Sequence, residues 1–208
     1  MGRFGYTTSM DDDDLDQLED EVPRLDRLRR FARSLAQMPW FANVGAPPSP
    51  AVRAMARDYC DYLGFPEAEI ALLSDWEEAA NAAQTQDYNA PAWEAEELIR
   101  ADLTEAARSA LSPEAFDVAF AFIAAEAARA VAPQASRAWV NWGGDDEDAL
   151  RAAEGAAIAA CNGAALILAG MEARPDIDVE THPFALRFRL FELGRWPIGV
   201  AGASFNLF

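Results

Sequence analysis

Proline punctuates this chain in a way that leaves few folds open. In four places a polar cap or turn residue is followed at once, or after one residue, by proline: Ser49-Pro50, Gly64-Phe65-Pro66, Asn89-Ala90-Pro91 and Ser112-Pro113. At the first turn of a helix a proline gives up an N–H that has no intrahelical partner, and its fixed φ suits the helix; in the interior it removes a hydrogen bond and clashes with the preceding turn. A polar cap followed by proline therefore marks a helix start. Apolar residues at helical spacing follow each one: Val52, Met55, Tyr59 and Tyr62; Ile70, Leu73, Trp76, Ala80 and Ala83; Ala95, Ile99, Ala106 and Ala110; Phe116, Phe120, Ile123, Ala127 and Val131. Gly64 is placed to stop the first of these helices.

The remaining segments extend the pattern. Leu15, Leu18, Val22, Leu25, Leu28, Leu35 and Met38 form a stripe that Pro23 divides, which predicts a short or frayed helix before Pro23 and a firm one from there to about Gln37. Residues 1–22, with Asp11 to Asp14 followed by Asp16, Glu19, Asp20 and Glu21, are expected to be an acidic, partly disordered segment; residues 23–208 are read as one helical domain. After Pro133 a short segment leads through Trp139 and Trp142, read as core anchors rather than a binding edge, to a turn at Gly143-Gly144. Asp145, Asp146, Glu147 and Asp148 then open a long helix to about Met171, at the end where the macrodipole is positive, so these acids need no ligand to explain them. That helix carries Gly155, Ala159, Gly163 and Gly170 and is read as a buried central helix that neighbours approach closely, not as a membrane span.

Residues 184–190 alternate like a strand, yet Thr181 and Pro183 before them and Gly194 after them read as helix punctuation, and helix is preferred. From about 195 to 208, β-rich stretches on either side of Gly202 predict a small hairpin. The expected fold is mainly α: a single-domain multi-helix bundle of about six to eight helices with a small C-terminal β-hairpin.

Charge narrows the function classes. Thirty-five acidic residues against seventeen basic ones give a net charge of −18, which repels nucleic acid and anionic lipid, so neither direct nucleic-acid binding nor membrane association is expected. Cys60 and Cys161 lie far apart in apolar stretches and are read as buried free thiols. The N-terminal residues lack both the basic-then-apolar pattern of a signal peptide and the Ser or Thr that myristoylation needs at the position of Tyr6, and the expected location is a bacterial cytoplasm.

Catalytic and cofactor motifs are sparse. His182 is the one histidine, so nucleophilic triads and multi-histidine metal sites lack their parts, and a capping or packing role is expected for it. The aspartate run lacks calcium-loop spacing, and no glycine-rich phosphate loop occurs, so no cofactor is expected. Glu94 with Glu97, and Glu114 with Asp117, are carboxylates at helical spacing, a pattern that most often lies on a solvated face. Two features stand out as interaction candidates. Glu126 sits in an Ala/Phe-rich stretch, where its carboxylate needs a partner such as Arg129. Arg187, Arg189, Arg195 and Trp196 cluster near the C-terminus, either pairing with acidic helices or facing an anionic ligand or acidic partner.

Three readings follow. The first is a non-catalytic acidic helical protein that works by binding another protein, or a second copy of itself as a homodimer. The second is an acidic mimic of nucleic acid that inhibits a basic partner through its aspartate run. The third is a small-molecule binder or carboxylate-based enzyme with a site in the helical core, centred on Glu126 and one of the C-terminal arginines.

Overall fold

The computed structural model describes residues 12–87, 89–144 and 146–208, with side chains described from Glu21 on. Asp11, the side chains of Asp12 to Asp14, and Asp145 lie outside the described residues. Helices α1 (Asp12–Ser34), α2 (Pro50–Leu63), α3 (Trp76–Gln84), α4 (Pro91–Ala110), α5 (Pro113–Asn141), α6 (Glu147–Gly170) and α7 (Pro183–Glu192) are joined by a small sheet of β1 (Glu69–Leu72), β2 (Pro197–Ala201) and β3 (Ser204–Leu207). A mainly α fold with a small C-terminal β element is what the proline punctuation predicts.

The caps do their expected work. Ser49 Oγ accepts from the Val52 N–H, Ser112 Oγ accepts from the Ala115 N–H, and Pro50, Pro91 and Pro113 each begin a helix. Gly64 ends α2 in the left-handed region at φ 96°, open to glycine without steric cost. Residues 184–190 are helical, within α7, and His182 is the N-cap: its Nδ1 accepts from the Phe184 N–H at 3.2 Å.

Three expectations need correction. Pro23 does not divide the first stripe: α1 runs through it, from Asp12 to Ser34. Pro133 likewise does not end a helix, because α5 continues to Asn141. Both prolines lie on exposed helix faces, where the backbone that loses a hydrogen bond can turn to water, while the opposite faces are held in the core by Leu28 and Ala32, and by Val131 and Ala135. Third, the stripe after Pro66 is not one helix. Residues 69–72 form β1, parallel to β3 with Ile70 opposite Phe205, and the helix starts only at Trp76. Asp75 caps it by accepting from the Glu78 N–H at 2.9 Å, while Glu78 accepts in return from the Ser74 N–H at 2.8 Å. Strand β3 is paired on both sides: by β2 in the expected hairpin, and by the unexpected β1.

Helix α6 is the axis. It packs on α1, α3, α4, α5, α7 and β2, and twelve of its residues are buried. It is long and apolar enough to cross a membrane by length and composition, and 56% of its most apolar window is buried inside the protein. Small residues allow the close packing: a Cβ on Gly170 would meet Ala106 Cβ at 3.0 Å, and one on Gly163 would meet Phe184 Cδ2 at 2.9 Å. The core around α6 is aromatic at one end, where Trp40, Phe41, Trp76, Phe191, Trp196 and Phe208 meet edge to face or tilted. Trp142 is 42% exposed but rests edge-on against Phe208, and Trp139 is partly buried on the same cluster.

Two ionic clamps fix α1 in place. Glu21, buried at 2% exposure, accepts from the Ser112 N–H at 2.6 Å and from the Ser112 hydroxyl at 3.1 Å, so it holds the α4–α5 junction. Arg24 and Arg27 both reach Glu172 past the end of α6, at 2.8 and 3.0 Å, and their hydrogen bonds hold its carboxyl below the usual range.

Burial holds the His182 pKa below its ordinary value, against a weaker upward pull from the charge of Asp102. The folded state therefore binds this proton more weakly than the unfolded chain. The associated stability is complete above the unfolded pKa of about 6.5 and is lost as pH falls through the lower folded value. Asparagine caps a helix without titrating. Urea midpoints measured between pH 7 and pH 5 are expected to fall further for the wild type than for His182→Asn; equal losses would show that the cap does not sense pH.

Candidate functional site

Glu96 lies on α4 at four residues from Ala92 and seven from Leu103, which places a carboxylate on the face that α4 buries. Its side chain is 6% exposed. Arg187, on the α7 face turned toward α4, is 11% exposed and forms an ion pair with it through Nη1 and Oε2. Tyr59 of α2 completes the group, its hydroxyl donating to Glu96 Oε1. One residue each from α2, α4 and α7 thus meet in a buried triad. Burial, the largest influence, works against the Arg187 charge, but Glu96 and Tyr59 beside it together more than offset that penalty, and the guanidinium pKa is raised. Burial first, and then the charge of Glu96, push the Tyr59 hydroxyl well above its ordinary value, so it acts as a neutral donor.

Arg187 also faces a cleft of about 230 Å³. Its sides are Ala83 and Gln86 at the end of α3, Trp93 and Arg100 on α4, and the small residues Ala152, Gly155, Ala156 and Ala159 on α6. Arg187, Trp196 and Ile198 form its inner end, where Trp196 and Ile198 are 1% and 2% exposed. The cleft exists because α4 and α6, close at Gly170, separate toward Gly155, where a Cβ would find no atom within 4 Å. Gln86 Nε2 donates to the Ile198 carbonyl and ties this side of the cleft to β2. A side chamber of about 20 Å³ beyond Arg187 is bordered by Glu96 and Asp87.

The electrostatics of the cleft oppose those of the chain. Among the described residues that line it, two are arginines and none carries a carboxylate. Arg187 Nε and Trp196 Nε1, on two of the lining residues, are closed off from solvent and have no hydrogen-bond partner among the described residues, and the same holds for Trp76 Nε1, Trp139 Nε1 and Arg195 Nε elsewhere. A buried donor without an acceptor costs about 1–3 kcal/mol. Arg100, 27% exposed, pairs with Glu97 at 3.0 Å and lies over the Phe184 ring at 5.2 Å. The described wall therefore offers two arginines and no carboxylate to whatever enters.

The structure brings together only two of the five sequence candidates, Arg187 and Trp196. Glu126 is elsewhere, on α5, paired with its neighbour Arg129. Arg189 pairs with Glu180 at 2.7 Å and closes the loop before α7. Arg195 donates to the carbonyls of Ala46 and Pro47 and meets no carboxylate there; burial lowers its pKa. Glu96, Tyr59 and Arg100 were missed. The available signal was Glu96 itself, the one charged residue on the buried stripe of α4. Cys60 and Cys161 are buried free thiols, pushed up by burial to about 11 and about 12, so neither is a nucleophile at neutral pH. Among the described residues no group of three His, Cys, Asp or Glu is placed to hold a metal.

Removing one member of a buried ion pair strands the other. Arg187→Met and Glu96→Leu are each expected to lower stability by about 3–5 kcal/mol, while the double variant recovers most of that loss. A double-mutant cycle on urea midpoints measures the coupling; additive losses would mean that the two groups do not interact in the folded protein. No family model matches this chain, and no curated protein or solved structure is similar to it, so its function has to be read from the chemistry of this cleft.

Proposed function

We propose that this protein binds a small, hydrogen-bond-accepting anion in the cleft between α4 and α6, without transforming it. The observation that carries this reading is a cleft whose described lining holds two arginines and no carboxylate, in a chain of net charge −18. It is the core-site reading moved from Glu126 to Arg187. Among the described residues the cleft contains binding groups but no nucleophile or general base, since the carboxylates lie outside the main chamber and Tyr59 is held protonated. The protein acts in the cytoplasm, where both cysteines stay reduced.

Gly155 separates binding from folding, because a side chain placed there fills open space and replaces a helix-destabilising glycine. A panel of small acids, amides and amines is to be screened by thermal unfolding of the wild type and of Gly155→Leu. Acids present at about a hundred times their Kd are expected to stabilise the wild type by about 2.7 kcal/mol, a rise of about 5–10 °C in Tm, and to leave Gly155→Leu unmoved. Amines that stabilise as well as acids, or shifts that persist in Gly155→Leu, would remove the cleft as the site.

A second reading, interaction with another copy of the chain, is favoured by one observation. Between α1 and α5 a groove of about 340 Å³ is lined by Leu25, Leu28, Val118, Ala119 and Phe122, of which Val118 is 65% exposed and Phe122 39%. If this groove joins two copies, sedimentation will show a mass that falls on dilution for the wild type and is monomeric throughout for Phe122→Glu; a wild type that is monomeric at every concentration ends that reading. The mimicry reading falls on the aspartate run, whose side chains lie outside the described residues.

A further inference from the structure

The ligand class can be narrowed, given that the cleft is a ligand site. We infer that the cleft takes a monocarboxylate carried on a flat apolar body, with Arg100 as the counter-ion of the carboxylate, Arg187 at the inner end, and Trp93 and Trp196 as apolar surface for the body.

Charge selects the single anion. Arg187 is already matched by Glu96 and contributes direction more than net charge. Arg100 is the cation that can be released, because its partner Glu97 is 46% exposed and can hydrate. Arg100 also borders an open groove along α4 with Glu97, Ala101 and Thr104, so it stands where the cleft meets solvent and can turn inward as a ligand arrives. One released arginine offsets one negative charge. A phosphate monoester brings about −1.5 to −2 at neutral pH and would leave an excess buried beside Glu96. A neutral amide would bring acceptor atoms but draw nothing from Arg100.

Shape selects the body. The α6 wall presents only Ala152, Gly155, Ala156 and Ala159, none larger than a methyl group, while Trp93, Trp196 and Ile198 offer aromatic and branched apolar surface. A smooth wall and aromatic surface together make a slot for a ring. The 230 Å³ equals the liquid volume of about eight waters at about 30 Å³ each, which suits an acid with a single ring.

The probes are benzoate, benzamide and phenyl phosphate, titrated calorimetrically into the full chain and into Arg100→Gln and Gly155→Leu. Benzoate is expected to bind the wild type on the order of tenfold more tightly than benzamide and more tightly than phenyl phosphate. Arg100→Gln should bring benzoate and benzamide to similar affinity, and Gly155→Leu should lose both. Benzamide binding as well as benzoate, with loss in Gly155→Leu, would overturn the carboxylate while leaving the cleft a ligand site. Phenyl phosphate binding best would overturn the single charge. No heat from any probe, or affinities unchanged in Gly155→Leu, would overturn both this inference and the reading of the cleft on which it stands.

Discussion

The pairing of Glu96 with Arg187, held from the other side by Tyr59, is the constraint that joins this fold to its cleft. Two charges leave water to form it, a desolvation cost that excellent geometry repays only in part. The cluster of Val52, Ala56, Leu63, Leu186, Leu190 and Phe205 packs α2, α7 and the sheet together without any charge. What apolar packing does not supply is direction. The ion pair fixes Arg187 of α7 against α4, and Arg187 lines the inner end of the cleft. A Met–Leu pair of similar size would hold the helices by packing and leave the cleft without its inner arginine. On the proposed anion-binding reading, the buried charges serve the ligand more than stability.

Helix α6 shows how one compositional trait yields two opposite results. Its glycines and alanines let α4 and Phe184 approach within contact distance at Gly170 and Gly163. The same poverty of side-chain volume leaves open space at Gly155, where α4 has moved away. Dense packing at one end of the helix and a cleft toward the other need no change in sequence character, only a divergence of axes. The sheet below the cleft matters for the same reason: β2 supplies Ile198, and Gln86 ties the α3 end to its backbone, so the cleft is bounded by elements that the hairpin holds fixed.

Much of this was legible in the sequence because it is local. Ser49, Ser112 and Gly64 act within one turn of themselves, and the strand-like alternation of residues 184–190 yields to caps on either side. The failures were non-local. Strand β1 exists because β3 has an edge to fill, a partner some 130 residues away that no window around Ile70 contains. Pro23 and Pro133 are tolerated because their helices are anchored on the far face by tertiary burial, which local propensity does not register. The site was half legible. Arg187 and Trp196 drew notice as basic and aromatic residues in an acidic chain, whereas Glu126 drew it as a carboxylate in an apolar run and proved to have its neighbour Arg129 as partner. Glu96, like Glu21 on α1, was hidden by occupying a place in an apolar stripe that a hydrophobic count passes over.

The basic residues carry one more piece of the reasoning. All seventeen are arginine. A lysine taken into the core readily gives up its proton, but a guanidinium keeps its charge there and divides it among five donors. That is how Arg187 can pair with Glu96 and still line the cleft, and how Arg195 can serve two backbone carbonyls with no counter-ion among the described residues. An anion approaching this protein meets net repulsion first, at distances that salt screens within about 8 Å at physiological ionic strength. Inside the cleft it meets arginines at contact range, where screening is weak. Far field and near field thus have opposite signs, so on the proposed reading a compact ligand of low charge would gain from the site while a highly charged one would be turned away before reaching it.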